Sequence, residues 1–279
     1  MNVSELRRRY AAGEREFRAA NLQGASLKGV DLSNINLLRA NLSNANFTGA
    51  SLSSVNLREA NLSDAILRES DLSEANLIGS NLLNANLSEA NLSNASLRAA
   101  NLSNANLSGA NLREAILSEA VLKDINLSQA ILIDANLSRT NLSNANLTGA
   151  ILEGANLTNA LIAGGNLTGA NLTNALLQGA NFTGANLSQA NLSRAKLNGT
   201  NMADVLLIGA NLRGANVSWT TLRGANLTKA NLYRAKLCWS NLTGAILVEA
   251  VLLDANLNQI NLRDANLTGA IMPNGLNHE

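Results

Sequence analysis

Residues 100–112 read ANLSNANLSGANL, which is Ala-Asn-Leu followed by two more residues, repeated without interruption. Every fifth residue from Leu22 to Met272 is Leu or another apolar residue, which gives 51 repeats without an insertion or deletion. The residue two places before each Leu is mostly Ala, with an occasional Val30 or Ile35. Because the repeat is so regular, the conformation of one five-residue unit determines the fold.

A period of five residues fits neither an α-helix nor a straight strand. On a helix, five residues advance by roughly 140°, so the leucines would wind around every side. In a strand, an odd period sends successive leucines to opposite faces. The chain must therefore turn once per repeat, with Leu and the preceding Ala facing inward and the other residues facing outward.

The residues at the expected corners support this interpretation. The second residue after each Leu is often Gly or Asn, as at Gly109 and Asn104. Gly and Asn tolerate the positive φ that the third residue of a type II turn requires. Glu59, Glu119 and Arg194 occupy the same position and predict that some corners use a different turn type. Four corners would close a coil of 20 residues, and about 13 stacked coils would form continuous backbone ladders.

These runs resemble the pentapeptide-repeat family, whose consensus is A-(N/D)-L-x-x. The resemblance covers about residues 15–274. It implies an all-β fold, a right-handed quadrilateral parallel β-helix with a short N-terminal capping helix. The handedness is what the resemblance implies.

The domain organisation follows from the unbroken register. Residues 15–274 are predicted to form a single β-helix, preceded by a cap at residues 1–14 and followed by a tail at residues 275–279. Within the cap we expect a helix over residues 4–12, with Ser4 as its N-cap and Gly13 at its end. The short polar tail covers the C-terminal end less completely, which makes that end a candidate for self-association.

Composition narrows the function classes. The net charge is +1, which indicates neither a strongly basic nucleic-acid binder nor a strongly acidic protein. A single cysteine cannot form an internal disulfide. No segment resembles a signal peptide or a transmembrane span, so a soluble cytoplasmic protein is the expectation.

No arrangement of residues suggests catalysis. His278, the only histidine, lies in a tail that we expect to be frayed, and Cys238 follows Leu237 and is expected to face outward without a partner base. The recurrent carboxylates are interpreted as solvated surface groups, and a Leu/Ala interior leaves no room for a pocket. We therefore predict no enzyme activity, no catalytic residue, no cofactor, no metal site and no small-molecule substrate.

The outer surface carries an uneven charge. Residues 59–134 contain ten acidic and four basic residues, whereas residues 194–236 contain seven basic residues and one acidic residue. Trp219 lies within the basic stretch and Trp239 just after it; they are 20 residues apart, so they should stack on adjacent coils. The predicted interaction patch consists of Arg194, Lys196, Arg213, Trp219, Tyr233, Arg234, Lys236 and Trp239. It could bind a protein or a single-stranded nucleic acid; the alternative is a solvated face with an incidental tryptophan pair.

A second exposed feature lies near the C-terminus, where aliphatic residues replace the usual Asn, Ser or Thr. Clustered exposed aliphatics suggest an interface, and the alternative is a set of isolated substitutions on a tolerant surface. We hypothesise a homodimer through this end, in line with the C-terminal dimers of the family, formed by Ile246, Val248, Val251, Leu253 and Ile271.

The leading functional hypothesis is a non-enzymatic binding or scaffold protein whose partner is a protein rather than nucleic acid or a membrane. The resemblance implies one alternative, because some pentapeptide-repeat proteins mimic B-form DNA and bind DNA gyrase, protecting it from quinolones. That mechanism relies on an acidic surface. Here the net charge is +1, one long section is positive, and the loop insertions of one such branch are missing.

Overall fold

The computed structural model describes residues 1–279, which divide into two compact units, residues 1–141 and residues 142–279. The first unit begins with the only helix, α1, which spans Val3–Ala11. Elsewhere the regular structure consists of isolated β-bridges, each a single residue long. The strands are therefore reduced to one bridging residue on each side of a coil.

In the first unit, parallel bridges run from Glu16 with Asn36 to Val121 with Asn141, and each pairs a residue with the one 20 places later. One coil therefore contains 20 residues and four sides. Backbone hydrogen bonds join the coils: the N–H groups of Leu42 and Asn44 donate to the carbonyls of Asn61 and Ser63 at 2.7 and 2.9 Å. This ladder pairs backbone groups that would otherwise be buried without partners.

The second unit has the same architecture. Its parallel bridges run from Asn146 with Asn166 to Val251 with Ile271, again with 20 residues between partners. The predicted four-sided β-helix is thus confirmed in each unit, and so is the prediction that Leu and Ala share one interior. Leu42 and Ala45 in the first unit, and Leu207 and Ala210 in the second, have no exposed surface.

The corners are more uniform than the sequence suggested. The second residue after the central apolar residue has a positive φ at every repeat from Ala19 to Gly269. Glu59, Glu119 and Arg194 have φ values of 56°, 64° and 59°, so they adopt the same left-handed conformation as glycine, and the reason for expecting a different turn type there is wrong. Ladder bonds such as Glu59 N–H to Ile78 O at 2.9 Å fix the corner, and the fold absorbs a left-handed strain of about 1–2 kcal/mol per residue.

The asparagine that precedes the central residue in most repeats has two structural roles that its position in the repeat did not predict. Its side-chain oxygen accepts a hydrogen bond from the backbone two residues later, as from Ser63 N–H to Asn61 Oδ1 at 3.2 Å. Its amide nitrogen can also reach the previous coil, as from Asn81 Nδ2 to Asn61 Oδ1 at 3.2 Å. These asparagines are half-buried and stabilise both the turn and the stack.

Helix α1 begins earlier than predicted. Its N-cap is Asn2 and not Ser4, because the Asn2 side chain accepts a hydrogen bond from Glu5 N–H at 2.8 Å. Leu6 is fully buried, and the Tyr10 hydroxyl donates to the Ser33 carbonyl at 3.0 Å. The helix therefore packs against the first coils of its own unit.

The C-terminal tail is paired, which corrects the expectation of a frayed end at His278. Ile271 forms an antiparallel bridge with Asn277, and His278 N–H donates to the Ala270 carbonyl at 2.8 Å. The tail covers only one side of the final coil. The last four central residues therefore remain half-buried: Leu257, Leu262, Leu267 and Met272.

Candidate functional site

The predicted interaction patch occupies one side of the second unit and the two corners that flank it. Lys196 and Lys236 lie on the side itself, where each bridges Asn216 on the coil between them. One flanking corner carries the arginines and the tyrosine, and the other carries the two tryptophans. We call this set the basic-aromatic surface; it comprises Arg194, Lys196, Arg213, Trp219, Tyr233, Arg234, Lys236 and Trp239.

The two tryptophans form a stacked pair at one corner, as their spacing predicted. Their ring centroids are 5.1 Å apart and their planes differ by 5°. Trp219 is 64% exposed and Trp239 is 52% exposed, so this stack stands in solvent instead of filling a core. Both residues have a left-handed backbone, with φ values of 60° and 62°, which is uncommon for side chains of this size.

The corner at the other end of this side places Tyr233 close to two arginines. The guanidinium carbon of Arg213 lies 5.0 Å from the centre of the Tyr233 ring, and that of Arg234 lies 4.8 Å from it. Both distances are within the range of favourable cation–π contacts. Arg234 also approaches Asp254 of the next coil, with Nε and Oδ2 3.3 Å apart. The arginines are therefore held near the ring instead of ranging freely.

Most of the positive charge on this surface is not neutralised. Only Arg234 forms an ion pair, and no carboxylate lies within 4.0 Å of the charged groups of Arg194, Lys196, Arg213 or Lys236. Unpaired cations on one side of the unit create a positive potential that attracts anionic groups.

The acidic stretch of the first unit is organised differently. The Glu59 carboxylate lies 2.7 Å from Arg39 Nε and 3.2 Å from Arg58 Nε. The hydrogen bond from Arg39 lowers the pKa of Glu59 below its ordinary value of 4.5. Glu69 and Glu119 are likewise paired, with Arg68 and Arg139. Several of the predicted acidic charges are therefore compensated locally.

The corner at Trp219 differs from the others in its hydrogen bonding. At every other corner from Leu22 onward, the residue that follows the left-handed residue donates its N–H to the backbone carbonyl of the central residue three places earlier, as Ala60 does to Leu57. At Thr220 this bond is missing. Instead the Ser240 hydroxyl donates to the Val217 carbonyl at 2.6 Å. The backbone turn that carries Trp219 is thus open, and a side chain of the next coil supports it.

A buried column of hydroxyl groups lies directly behind the tryptophans. Thr200, Thr220 and Ser240 replace the usual Ala and are at most 2% exposed. The Thr200 and Thr220 hydroxyls donate to the Leu197 carbonyl at 2.7 and 2.9 Å. This column was not predicted, although three hydroxyl residues at successive 20-residue intervals were a visible signal in the sequence.

The residues of the hypothesised homodimer lie around the last coils of the second unit. Val251 bridges Ile271, and Ile271 also pairs with Asn277 of the tail. A Cβ at Gly275 would lie 3.7 Å from Leu253 Cδ1, so the tail covers part of this group. Ile246 is 38% exposed, whereas Val248 is half-buried. The five side chains occupy successive sides and corners, and homodimerisation stays a hypothesis.

Other chemical features of the surface are sparse. No group of three or more His, Cys, Asp and Glu side chains is arranged as metal ligands would be. The Cys238 sulfur is half-buried, 3.9 Å from the Asn256 carbonyl oxygen. No helix here combines the length and the apolar character that a membrane crossing requires.

Comparisons with known proteins agree with this architecture. A family model described as pentapeptide repeats (8 copies) matches residues 16–53, 56–94, 90–129, 120–159, 166–204, 190–229, 206–244 and 230–269. A search of the curated proteins found no match.

Three solved structures illustrate the similarity. HetL of the cyanobacterium Nostoc sp. strain PCC 7120, a pentapeptide repeat protein involved in heterocyst differentiation regulation, is 34% identical, with 100% of each chain covered and a TM-score of 0.31. Rfr23 of the cyanobacterium Cyanothece 51142 is 37% identical over 42% of this chain and 92% of its own, with a TM-score of 0.40. QnrB1, a plasmid-mediated fluoroquinolone resistance protein, is 21% identical over 68% of this chain and 85% of its own, with a TM-score of 0.41.

Proposed function

Because the chain belongs to the pentapeptide-repeat family, we propose that it is a non-enzymatic scaffold that binds a partner protein through the basic-aromatic surface. Proteins of this family are in general structural or binding proteins rather than enzymes. Within each unit the interior is filled by Leu and Ala, so the groups available for recognition lie on the sides and corners of the coils.

One observation carries the proposal: an exposed tryptophan stack and unpaired cations share one side of the second unit. Trp, Tyr and Arg are the residues most enriched among those that dominate binding energy at protein interfaces. The backbone ladder holds each of them at a fixed position, so little backbone order has to be gained on binding. The partner that fits this surface is acidic.

The alternative, a DNA-mimicking modulator of DNA gyrase, has less support. Such a mimic needs a continuous surface of uncompensated negative charge, and the acidic stretch is interrupted at Glu59, Glu69 and Glu119, three of its ten acidic residues, which are each paired with an arginine. The basic-aromatic surface has the opposite charge to that of a DNA mimic.

The proposal is tested by affinity capture from the source organism with two immobilised variants beside the wild type. Lys196→Glu combined with Lys236→Glu replaces two of the five cations of the surface by carboxylates. Arg223→Glu combined with Arg263→Glu makes the same change in net charge at exposed corners elsewhere in the second unit. We expect a captured protein that the first variant loses and the second variant retains.

Circular dichroism and thermal unfolding of all three proteins establish that each variant keeps the fold. Equal recovery of every captured protein by the two variants would contradict the proposal, because the basic-aromatic surface would then contribute nothing specific.

A further inference from the structure

Corner side chains in the second unit lean toward the following coil. Where that coil has a glycine at the equivalent corner, the preceding side chain lies against the glycine. Asn159 lies over Gly179, Gln189 over Gly209 and Asp204 over Gly224 in this way. The direction follows from the shared left-handed backbone of these positions. The side chain of one corner therefore covers the same corner of the next coil.

This rule makes Gly199 the residue that controls access to the tryptophan stack. Gly199 occupies the corner one coil before Trp219, where a side chain would lean onto the Trp219 ring. Gly199 has none, and a Cβ built there would have no heavy atom within 4 Å beyond its chain neighbours. The other face of the Trp219 ring is covered by Trp239. One face of Trp219 is thus open, above a glycine, at the end of an existing stack.

The open face of Trp219 accepts one planar group, and the stack has no room for a series of them. Proteins that bind single-stranded nucleic acids usually present several aromatic rings on which successive bases stack. Here the two rings stack on each other, so only the outer face of each ring can take a planar group, and these two faces lie at opposite ends of the stack. One aromatic side chain of a peptide matches this site better than a run of bases.

The charge distribution determines what must surround that aromatic group. Lys196 lies three residues before Gly199 on the same coil, and Lys236 lies on the coil of Trp239. Neither lysine has an ion-pair partner. A second copy of the chain that met this surface symmetrically would bring the same cations against these ones, and like charges that meet at an interface cost several kcal/mol. The complementary occupant is therefore acidic.

We propose that the basic-aromatic surface binds an acidic protein segment through one aromatic side chain that stacks on Trp219 above Gly199. This inference rests on the proposed function and adds an aromatic contact to the acidic character of the partner. The carboxylates of the segment would contact Lys196, Lys236 and the arginines of the corner at Tyr233.

The sequence supplies a direct probe, because Trp219 and Trp239 are the only tryptophans in the chain. The full-length protein is titrated with a short synthetic peptide of glutamates and aspartates around a central phenylalanine, and tryptophan emission is followed. We expect a saturable change in emission. The same peptide with alanine in place of phenylalanine should bind about twofold to tenfold more weakly, which is the usual contribution of an aromatic pair.

A matched pair of glycine substitutions tests the role of the open ring face. Gly199→Gln places a side chain over Trp219, whereas Gly184→Gln places one at an equally open corner outside the surface. Gln is accepted at this corner position, as at Gln189 with φ 62°. We expect Gly199→Gln to remove the advantage of phenylalanine over alanine, and Gly184→Gln to leave it unchanged.

Three results would overturn the inference: equal affinity for the phenylalanine and alanine peptides, no effect of Gly199→Gln, or tighter binding of oligothymidylate than of either peptide. In the first two cases a partner whose capture depends on Lys196 and Lys236 would still support the proposed function. Loss of that dependence as well would remove both proposals.

Discussion

The corners at Glu59 and Trp219 have the same backbone and opposite chemistry. Both residues follow a buried central residue by two places, with φ values of 56° and 60°. Both N–H groups donate to the next coil, at 2.9 and 3.0 Å. Glu59 forms an ion pair with Arg39 of the previous coil, whereas Trp219 stacks on Trp239 of the next coil. The coil imposes the geometry and leaves the surface chemistry to the individual side chain.

The two corners also differ in one backbone hydrogen bond. Ala60 N–H donates to Leu57 O at 3.0 Å, whereas Thr220 forms no such bond and the Ser240 hydroxyl contacts the Val217 carbonyl instead. The Trp219 turn is therefore stabilised by packing and side-chain hydroxyls. Special support at the corner with the most exposed aromatic ring is consistent with a binding role for that ring.

The largest expected effect tests whether the shared geometry depends equally on the interior of both units. Leu57 and Leu237 are the central residues of the corners at Glu59 and Trp239, and each is at most 1% exposed. Leu57→Ala and Leu237→Ala should each lower the free energy of unfolding by about 3 kcal/mol, because each leaves a cavity in a packed layer. Urea denaturation followed by circular dichroism measures the loss.

Arg58→Ala, beside Leu57 but on the exposed surface, is the control and should change the unfolding free energy by less than about 0.5 kcal/mol. If only one of the two Leu→Ala substitutions lowered the free energy of unfolding, the two corners would not depend on the core to the same extent.

A smaller effect tests the left-handed corners themselves. Gly184 has a φ of 65° and Ala99 a φ of 55°, each at the second corner residue of its repeat. Gly184→Ala should lower the free energy of unfolding by about 1 kcal/mol, because a Cβ disfavours this conformation. Ala99→Gly should raise it by a similar amount or slightly less, since glycine also loses more chain entropy on folding.

Thermal unfolding of both variants against the wild type measures these opposite shifts. Shifts of the same sign in both variants would contradict the assignment of one conformation to every corner.

The fold was predictable because a single repeat encodes it 51 times. The inward positions of Leu and Ala, the 20-residue coil and the stacking of Trp219 on Trp239 all follow from the period. The uniform corner conformation did not follow from the period. Glu and Arg disfavour a positive φ, whereas the ladder hydrogen bonds impose one at Glu59 and Arg194. The conformational preference of a single residue is overridden where every neighbouring coil imposes the same geometry.

The candidate site was only partly predictable. Spacing alone brought Arg213 onto Tyr233 and placed Lys196 in one column with Lys236. The free face above Gly199 was not predictable, because it depends on the direction in which corner side chains lean, a property of three-dimensional structure. The Asn2 cap was missed because Ser4 is an equally good N-cap by residue type.

The smallest expected effect is a difference in pH dependence between the corners at Glu59 and Trp219. Arg39 lowers the pKa of Glu59 below its ordinary value of 4.5, so the ionised carboxylate is favoured in the folded state. Its contribution to stability is present above the unfolded-state pKa and is lost as the pH falls through the lower folded-state pKa. The Trp219 and Trp239 side chains do not ionise, so tryptophan emission should stay constant over the range in which Glu59 titrates.

A carboxyl-selective NMR titration of Glu59 measures this pKa, and Arg39→Gln should raise it toward 4.5 because the main hydrogen-bond donor is removed. The emission of Trp219 and Trp239 in the same sample is the internal control. An unchanged Glu59 pKa in Arg39→Gln would mean that the 2.7 Å contact between Arg39 and Glu59 is not maintained in solution. Of the two corners compared, only the one at Trp219 would then carry a fixed contact between coils.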